Sequence, residues 1–196
     1  MNNDSKTLLI PPPILTGTVE RLGHELAIWL KNIGAQSLNL IIVLEGARPF
    51  ARDLSVALKR LLPELELRSH EVKVQGTERT ALLEDRKLLS KLPTAQDLGH
   101  FPVLLLDDLV DSGRTLSFLY REFQSTAQGP LKTAVLVRKF RESAIQPDFC
   151  GFELRLDPKE LSAKGLKDYW LYGYGMDLDG SQRDLDHIGW KAISLG

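Results

Sequence analysis

The sequence predicts an α/β domain in which a central parallel sheet is flanked by helices and a small hood covers one edge. Three observations predict it. Apolar runs at residues 38–44, 103–106 and 134–137 have the length and branched character of strands buried on both faces. Amphipathic helical stretches separate them. The order strand, helix, strand, loop, strand, helix, strand requires right-handed crossovers, which put helices on both sheet faces and any ligand at the strands' C-terminal ends.

The elements follow in chain order. Asn2, Asn3, Asp4 and Ser5 lack the basic-then-apolar pattern of a signal peptide and read as a short frayed arm, ended by Pro11, Pro12 and Pro13. From residue 14 to 31, Leu15, Val19, Leu22, Leu26, Trp29 and Leu30 recur at helical spacing. After the strand at 38–44, a second helix from about residue 50 to 62 turns Leu54, Ala57, Leu58, Leu61 and Leu62 inward and Arg52, Asp53, Lys59 and Arg60 outward. Pro63 stops it. Residues 65–70 alternate as a strand. Residues 71–91 are polar and weakly patterned and predict a mobile loop, with Gln75-Gly76-Thr77 as a hinge.

The next strand, 103–106, delivers Asp107, Asp108 and Asp111 into a turn of small residues that opens a helix from Thr115. A further apolar strand from Ala134 ends in two cations, Arg138 and Lys139. Residues from about 147 to 196, with the N-terminal arm, are expected to form the hood over a core of about 14–146, so that 1–196 is a single domain. Neither an internal repeat nor an interdomain linker interrupts the chain.

Composition narrows the function. The chain has 196 residues, 43% of them hydrophobic and 26% charged, as in an ordinary globular domain large enough for a substantial core. A formal net charge of −1 gives no electrostatic reason to expect nucleic acid or an anionic membrane, and no apolar run approaches bilayer length. Cys150 is the single cysteine, which excludes an internal disulfide and a thiolate zinc cluster and points to reducing cytosol. It lies in an apolar run and reads as a structural thiol. A small-molecule partner remains.

The turn Asp107-Asp108-Leu109-Val110-Asp111-Ser112-Gly113-Arg114-Thr115 is the most informative stretch. Backbone amides of Ser112, Gly113, Arg114 and Thr115 at a helix N-terminus offer unpaired donors and partial positive charge to a phosphate, and Gly113 lets the backbone come close. It is not a Walker A loop, whose Gly-x-x-x-x-Gly-Lys-Ser/Thr spacing occurs nowhere in the chain. The plain alternative is a strand-to-helix turn in which Asp111 and Ser112 serve only as caps.

This turn resembles the phosphoribosyl-diphosphate motif of type I phosphoribosyltransferases. Two further stretches are similar to the hypoxanthine-guanine branch of that family: Trp170-Leu171-Tyr172-Gly173-Tyr174-Gly175-Met176-Asp177 with Arg183 six positions later, and Pro147-Asp148-Phe149-Cys150-Gly151-Phe152-Glu153. The resemblance runs from about residue 14 to 190. It implies that Asp107 and Asp108 hold ribose hydroxyls, that residues 111–115 wrap the 5-phosphate, and that Asp111 is the general base beside purine N7. It further implies that Trp170 stacks on the purine, that the Leu171 backbone reads its exocyclic edge with Asp177 nearby, and that Arg183 meets pyrophosphate. Asp177, with Asp108, is implied as the contact to magnesium, the expected cofactor.

In that branch a lysine at the strand end donates to the purine 6-oxygen. An ungapped register puts Arg138 in its place and Lys139 one beyond; strand alternation sends the two to opposite faces, and residue type favours Lys139. Leu44-Glu45-Gly46-Ala47-Arg48 occupies the place of the pyrophosphate loop, but many relatives have Lys or Arg where this chain has Glu45. A carboxylate there repels pyrophosphate unless it faces away or meets a metal; Arg48 either supplies the missing charge or pairs with Glu45. The family's long closing loop falls at 71–91, and its usual Ser-Tyr pair finds its nearest equivalent in Ser69-His70, with His70 read as an exposed loop histidine.

The resemblance thus implies a purine-salvage transferase in the cytoplasm that uses phosphoribosyl diphosphate and hypoxanthine or guanine, with xanthine as a further candidate base, forming IMP or GMP, as a homodimer or homotetramer. The alternative is a non-catalytic relative that binds phosphoribosyl diphosphate or nucleotide to regulate a partner.

Overall fold

The computed structural model describes residues 7–76, 86–140, 145–155, 158–163 and 165–194. Its main sheet has six strands: β2 (Ser37–Leu44), β3 (Glu66–Gly76), β4 (Arg86–Leu88), β5 (Val103–Val110), β6 (Leu131–Lys139) and β7 (Phe149–Leu154). Their order is β4-β3-β2-β5-β6-β7, parallel throughout except for the antiparallel edge strand β4. The predicted α/β class and parallel sheet are observed.

Alternation along the strands explains why their sequences read as continuous apolar runs. Leu38, Leu40 and Ile42 of β2 and Leu104 and Leu106 of β5 pack with α1 (Pro12–Asn32) and α2 (Arg48–Leu61). The intervening Ile41, Val43, Val103 and Leu105 pack with α3 (Ala95–Leu98) and α4 (Arg114–Thr126). Each strand is therefore buried on both faces, and a period-2 pattern has no polar half to show. The two helical layers pack Leu22, Leu26, Leu30, Phe50, Leu54 and Leu58 on one side and Leu116, Leu119 and Phe123 on the other, all fully buried. Each such side chain stabilises the fold by about 1.5–3 kcal/mol through burial.

A second sheet of three antiparallel strands has the order β1-β9-β8, formed by β1 (Thr7–Ile10), β9 (Ile188–Ser194) and β8 (Leu166–Tyr172). The short helix α5 (Pro158–Ala163) precedes β8. The predicted frayed arm is thus corrected over 7–10: its apolar Leu8, Leu9 and Ile10 make β1, which pairs with β9 through Leu8↔Gly189 and Ile10↔Ile188.

The predicted mobile loop is corrected over 71–76 and 86–88. β3 runs on through Val72, which is fully buried, and Val74 pairs with Leu88 of β4. A solvent-facing edge pair carries polar residues on one side, which masked the strand period. Residues 77–85 of the expected loop, with Thr77 of the hinge, lie outside the described residues, and 89–91 follow β4 without regular structure. A third correction concerns Pro147 to Glu153. The sequence places that run in the hood, yet Phe149–Leu154 adds the sixth strand of the main sheet beside β6, through Val137↔Phe152 and Arg138↔Glu153.

Leu105 sits at the middle of the central strand and is fully buried. Leu105→Ala should therefore lower unfolding free energy by about 2–5 kcal/mol in urea denaturation, the cost of lost burial plus a cavity.

Candidate active site

The parallel strands end together at Leu44, Val110 and Lys139, and the predicted site residues gather there. β5 carries its hydrogen bonding past the apolar residues through Asp107 to Val110. That extension buries the Asp107 carboxylate, whose Oδ1 accepts the Asp108 amide at 3.0 Å. Burial pushes the Asp107 carboxyl well above the usual range, reinforced by the adjacent Asp108 charge. Burial also raises Asp108, against hydrogen bonds to its charged form and the positive charge of Arg183.

Beyond Val110, Gly113 adopts a left-handed conformation (φ 72°) and is the N-cap of α4, with no side chain capping the helix. The N-cap position itself thus falls to Gly113 and to neither Asp111 nor Ser112. Ser112 is exposed and Asp111, Arg114 and Thr115 are half-buried around the turn.

Lys139 is the cation the structure brings to Asp111. Its Nζ donates to Asp111 Oδ2 at 3.2 Å, to Asp168 Oδ1 at 3.2 Å and to the Tyr169 carbonyl at 2.5 Å. Arg138 points the other way, donating to Glu153 Oε1 on β7 at 3.1 Å and lying over the Phe140 ring. Alternation on β6 has separated the two, as residue type suggested. Lys139 also borders an apolar cavity of about 230 Å³ lined by Leu9, Leu154, Tyr169, Leu171 and Trp190. Leu171 is buried against it, while the neighbouring Trp170 on β8 is half-exposed and donates Nε1–H to the Asp177 carbonyl at 2.6 Å.

The turn between β8 and β9 returns to the core at two glycines. Gly175, at φ 96°, lies so close to the Gly46 carbonyl that a methyl group would overlap it, and a methyl group at Gly46 would overlap the Asp108 carboxylate. Across this contact the Arg183 Nη1 donates to the Gly175 carbonyl at 2.6 Å and the Gly175 amide donates to the Arg183 carbonyl at 2.8 Å. Arg183 Nε lies 3.6 Å from Asp177 Oδ1. That oxygen is buried without a hydrogen-bond partner, whereas Asp177 Oδ2 accepts the Gly180 amide at 3.2 Å. A carboxylate oxygen that lacks a hydrogen-bond partner and lies beside Arg183 suits a divalent cation that brings most of its own oxygen ligands. Among the described residues no group of three or more His, Cys, Asp or Glu side chains forms a preassembled metal cage.

Glu45 does not stand alone. Its carboxylate meets Arg48 Nη1 at 2.9 Å and Lys73 Nζ at 3.2 Å, and Arg48 grips Glu71 with two parallel bonds of 2.8 and 2.9 Å. Two carboxylates and two cations make a neutral cluster at the mouth of the β2–α2 loop. His70 is corrected: it sits in β3, half-buried, with Nε2 3.1 Å from Asn39 Oδ1. Asn39 in turn donates to the carbonyls of Leu98 and Pro102, which precede β5, so His70 belongs to the far end of the sheet from Asp111. Burial lowers its basicity. Cys150 is a half-buried free thiol donating to the Phe152 carbonyl, with burial raising its pKa.

No family model matches the chain. Curated relatives do. A hypoxanthine-guanine phosphoribosyltransferase of Bacillus subtilis is 29% identical over 191 residues, covering 96% of this chain and 94% of the relative, and that of Mycobacterium avium is 29% identical with 95% and 85% covered. Solved structures agree. A hypoxanthine-guanine phosphoribosyltransferase of Bacillus anthracis superposes with TM-score 0.73 at 24% identity over 95% of this chain and 96% of that one. The chain is a homologue of the hypoxanthine-guanine phosphoribosyltransferases and has the type I phosphoribosyltransferase fold. The hypoxanthine phosphoribosyltransferase of Trypanosoma cruzi, solved with IMP, shares that fold at TM-score 0.76 and 23% identity, with 100% and 96% covered.

Within this phosphoribosyltransferase fold, two residues at the site had no motif to announce them: Asp168, at the start of β8, and Lys73, on the extended part of β3. Asp107 yields the clearest pH signature. Its raised pKa means that the folded state holds a proton the unfolded chain has already lost, so stability contributed by the protonated form is lost as pH climbs from the ordinary carboxylate range. Asp107→Asn keeps the acceptor for the Asp108 amide and removes the charge. Its melting temperature should exceed that of the unmodified protein by a margin that widens from about pH 5 to about pH 8 in thermal melts.

Proposed function

We propose that the chain transfers the phosphoribosyl group of 5-phosphoribosyl 1-diphosphate to hypoxanthine or guanine, releasing pyrophosphate and forming the nucleoside 5′-monophosphate in purine salvage. The observation that carries this reading is the meeting of Lys139 with Asp111 at the end of the ribose-phosphate turn. An ammonium donor and a carboxylate acceptor side by side match one edge of a 6-oxopurine, whose 6-oxygen accepts while N7–H donates. Adenine presents an amine where the oxygen should be, and an ammonium cannot accept from it.

In the proposed reaction the bond from ribose C1 to the diphosphate oxygen breaks as purine N9 bonds to C1, and the N7 proton passes to Asp111 Oδ. Asp107 and Asp108 accept from the ribose hydroxyls, which adds donors to a buried Asp107 carboxyl and a half-buried Asp108. The amides of residues 112–115 hold the 5-phosphate. Trp170 provides the stacking face and the Leu171 backbone reads the 2-position. Magnesium, held by Asp177 with Asp108 and by substrate oxygens, would neutralise charge gathering on the diphosphate. Arg183, fixed by Gly175, adds a positive charge on the same side. The expected setting is the cytoplasm and the expected assembly a homodimer or homotetramer, which light scattering would measure; no helix among the described residues is long and apolar enough to cross a membrane.

The test is magnesium-dependent pyrophosphate release with hypoxanthine, guanine, xanthine and adenine offered separately. Turnover is expected with hypoxanthine and guanine and not with adenine, and Asp111→Asn should lower kcat by roughly two to four decades. Binding of phosphoribosyl diphosphate without turnover of any base would instead identify a regulatory relative.

Lys73 supplies a second outcome. With it gone, Glu45 retains only Arg48, which is shared with Glu71, and the loop becomes net negative. Lys73→Ala should raise KM for phosphoribosyl diphosphate roughly two- to fivefold, the scale of one exposed ion pair, and the effect should shrink as salt is added in steady-state kinetics.

A further inference from the structure

We infer that Asp168 is a positioning residue that holds the Lys139 ammonium in place while Asp111 changes partners during the reaction. The inference rests on the transferase reading given above. Lys139 is only 3% exposed, and its three N–H donors have three acceptors: Asp111 Oδ2, Asp168 Oδ1 and the Tyr169 carbonyl. Two of the three come from the start of β8, and Asp168 is itself held by accepting the Tyr169 amide at 2.7 Å. The Asp168 side chain is 19% exposed against 43% for Asp111, so the more buried carboxylate is the one tied to the hood strand.

The ammonium is therefore saturated before any purine arrives. To donate to a 6-oxygen it must release one acceptor, and Asp111 is the one with a competing task, because N7–H of the purine needs its carboxylate. When the proton passes from N7 to Asp111, that carboxylate becomes neutral and ceases to balance Lys139. A buried ammonium without a counterion is strongly disfavoured. Asp168, which takes no part in the proton transfer, keeps the ammonium paired and aimed. It also joins hood to core, since β8 belongs to the three-stranded sheet and Lys139 to the six-stranded one.

The experiment is steady-state kinetics of Asp168→Asn, Asp168→Glu, Lys139→Gln and the Asp168→Asn/Lys139→Gln pair, with hypoxanthine and phosphoribosyl diphosphate varied separately. Asp168→Asn should raise KM for hypoxanthine roughly tenfold and lower kcat, the scale of one lost hydrogen bond to a charged group. KM for phosphoribosyl diphosphate should move by less than about twofold, and Asp168→Glu should recover most of the loss. In the Lys139→Gln background, Asp168→Asn should add less than about twofold, because two residues acting through one another do not add. Parallel rises in both KM values, no change in either, or an undiminished effect in the Lys139→Gln background would overturn the assignment. If the unmodified protein turns over no purine, the transferase reading fails first; calorimetric binding of IMP to the same four variants then decides Asp168 separately, with the same non-additivity expected.

Discussion

Everything at the strand ends depends on a backbone contact too close for any side chain. Gly175 of the hood turn rests on the Gly46 carbonyl, and Gly46 rests on the Asp108 carboxylate. Three segments distant in sequence are thereby fixed in one stack, so the hood does not merely cover the sheet edge. Arg183 is locked to Gly175 by two hydrogen bonds, and Asp177 takes its place beside Arg183. A methyl group at either glycine would push apart the loop, the turn and the carboxylate together, which is why glycine is required at both positions although only Gly175 needs a positive φ.

The same stack explains how a buried carboxylate pair persists. Burying a charge without compensation costs several kcal/mol, and here the cost falls chiefly on Asp107, buried at the end of a central strand beside the Asp108 charge. The apolar part of β5, from Val103 to Leu106, packs against helices on both faces and holds the two aspartates at the strand end. Stability is spent where ligand hydroxyls are expected, the usual relation between a strained or underpaired site and the well-packed scaffold that tolerates it.

Much of this was legible in the sequence for a physical reason. Strands buried on both faces announce themselves as short apolar runs, and the carboxylate-rich turn after Leu106 carries its chemistry in consecutive residues. The edges were not legible. β3 beyond His70 and β4 alternate polar residues over an exposed face, and β7 interrupts its pattern with Cys150 and Gly151, so neither showed a period. Gly151 sits against the Leu136 carbonyl of β6, a close approach that only the pairing of strands reveals. Asp168 and Lys73 were missed because each acquires its meaning from a partner on another element, Lys139 in one case and Glu45 in the other. Between Arg138 and Lys139 the sequence left the choice open, and the alternation of β6 settled the geometry by pairing Arg138 with Glu153.

Glu45 shows how a site can carry the wrong local charge without the wrong field. A carboxylate in a loop meant for an anion is unfavourable when considered with its nearest sequence neighbours alone. The extended β3 brings Lys73 to one of its oxygens, and α2 begins with Arg48 at the other. Arg48 then needs Glu71 to occupy the rest of its guanidinium, which closes a neutral set of four. These pairs are half-exposed, so none contributes much to stability alone. Their effect is to cancel a repulsion and to leave Lys73 beside the loop, paired with Glu45. Part of the positive charge that balances Glu45 is supplied by a neighbouring strand, and the length of β3 beyond the expected end of the strand is what brings it there.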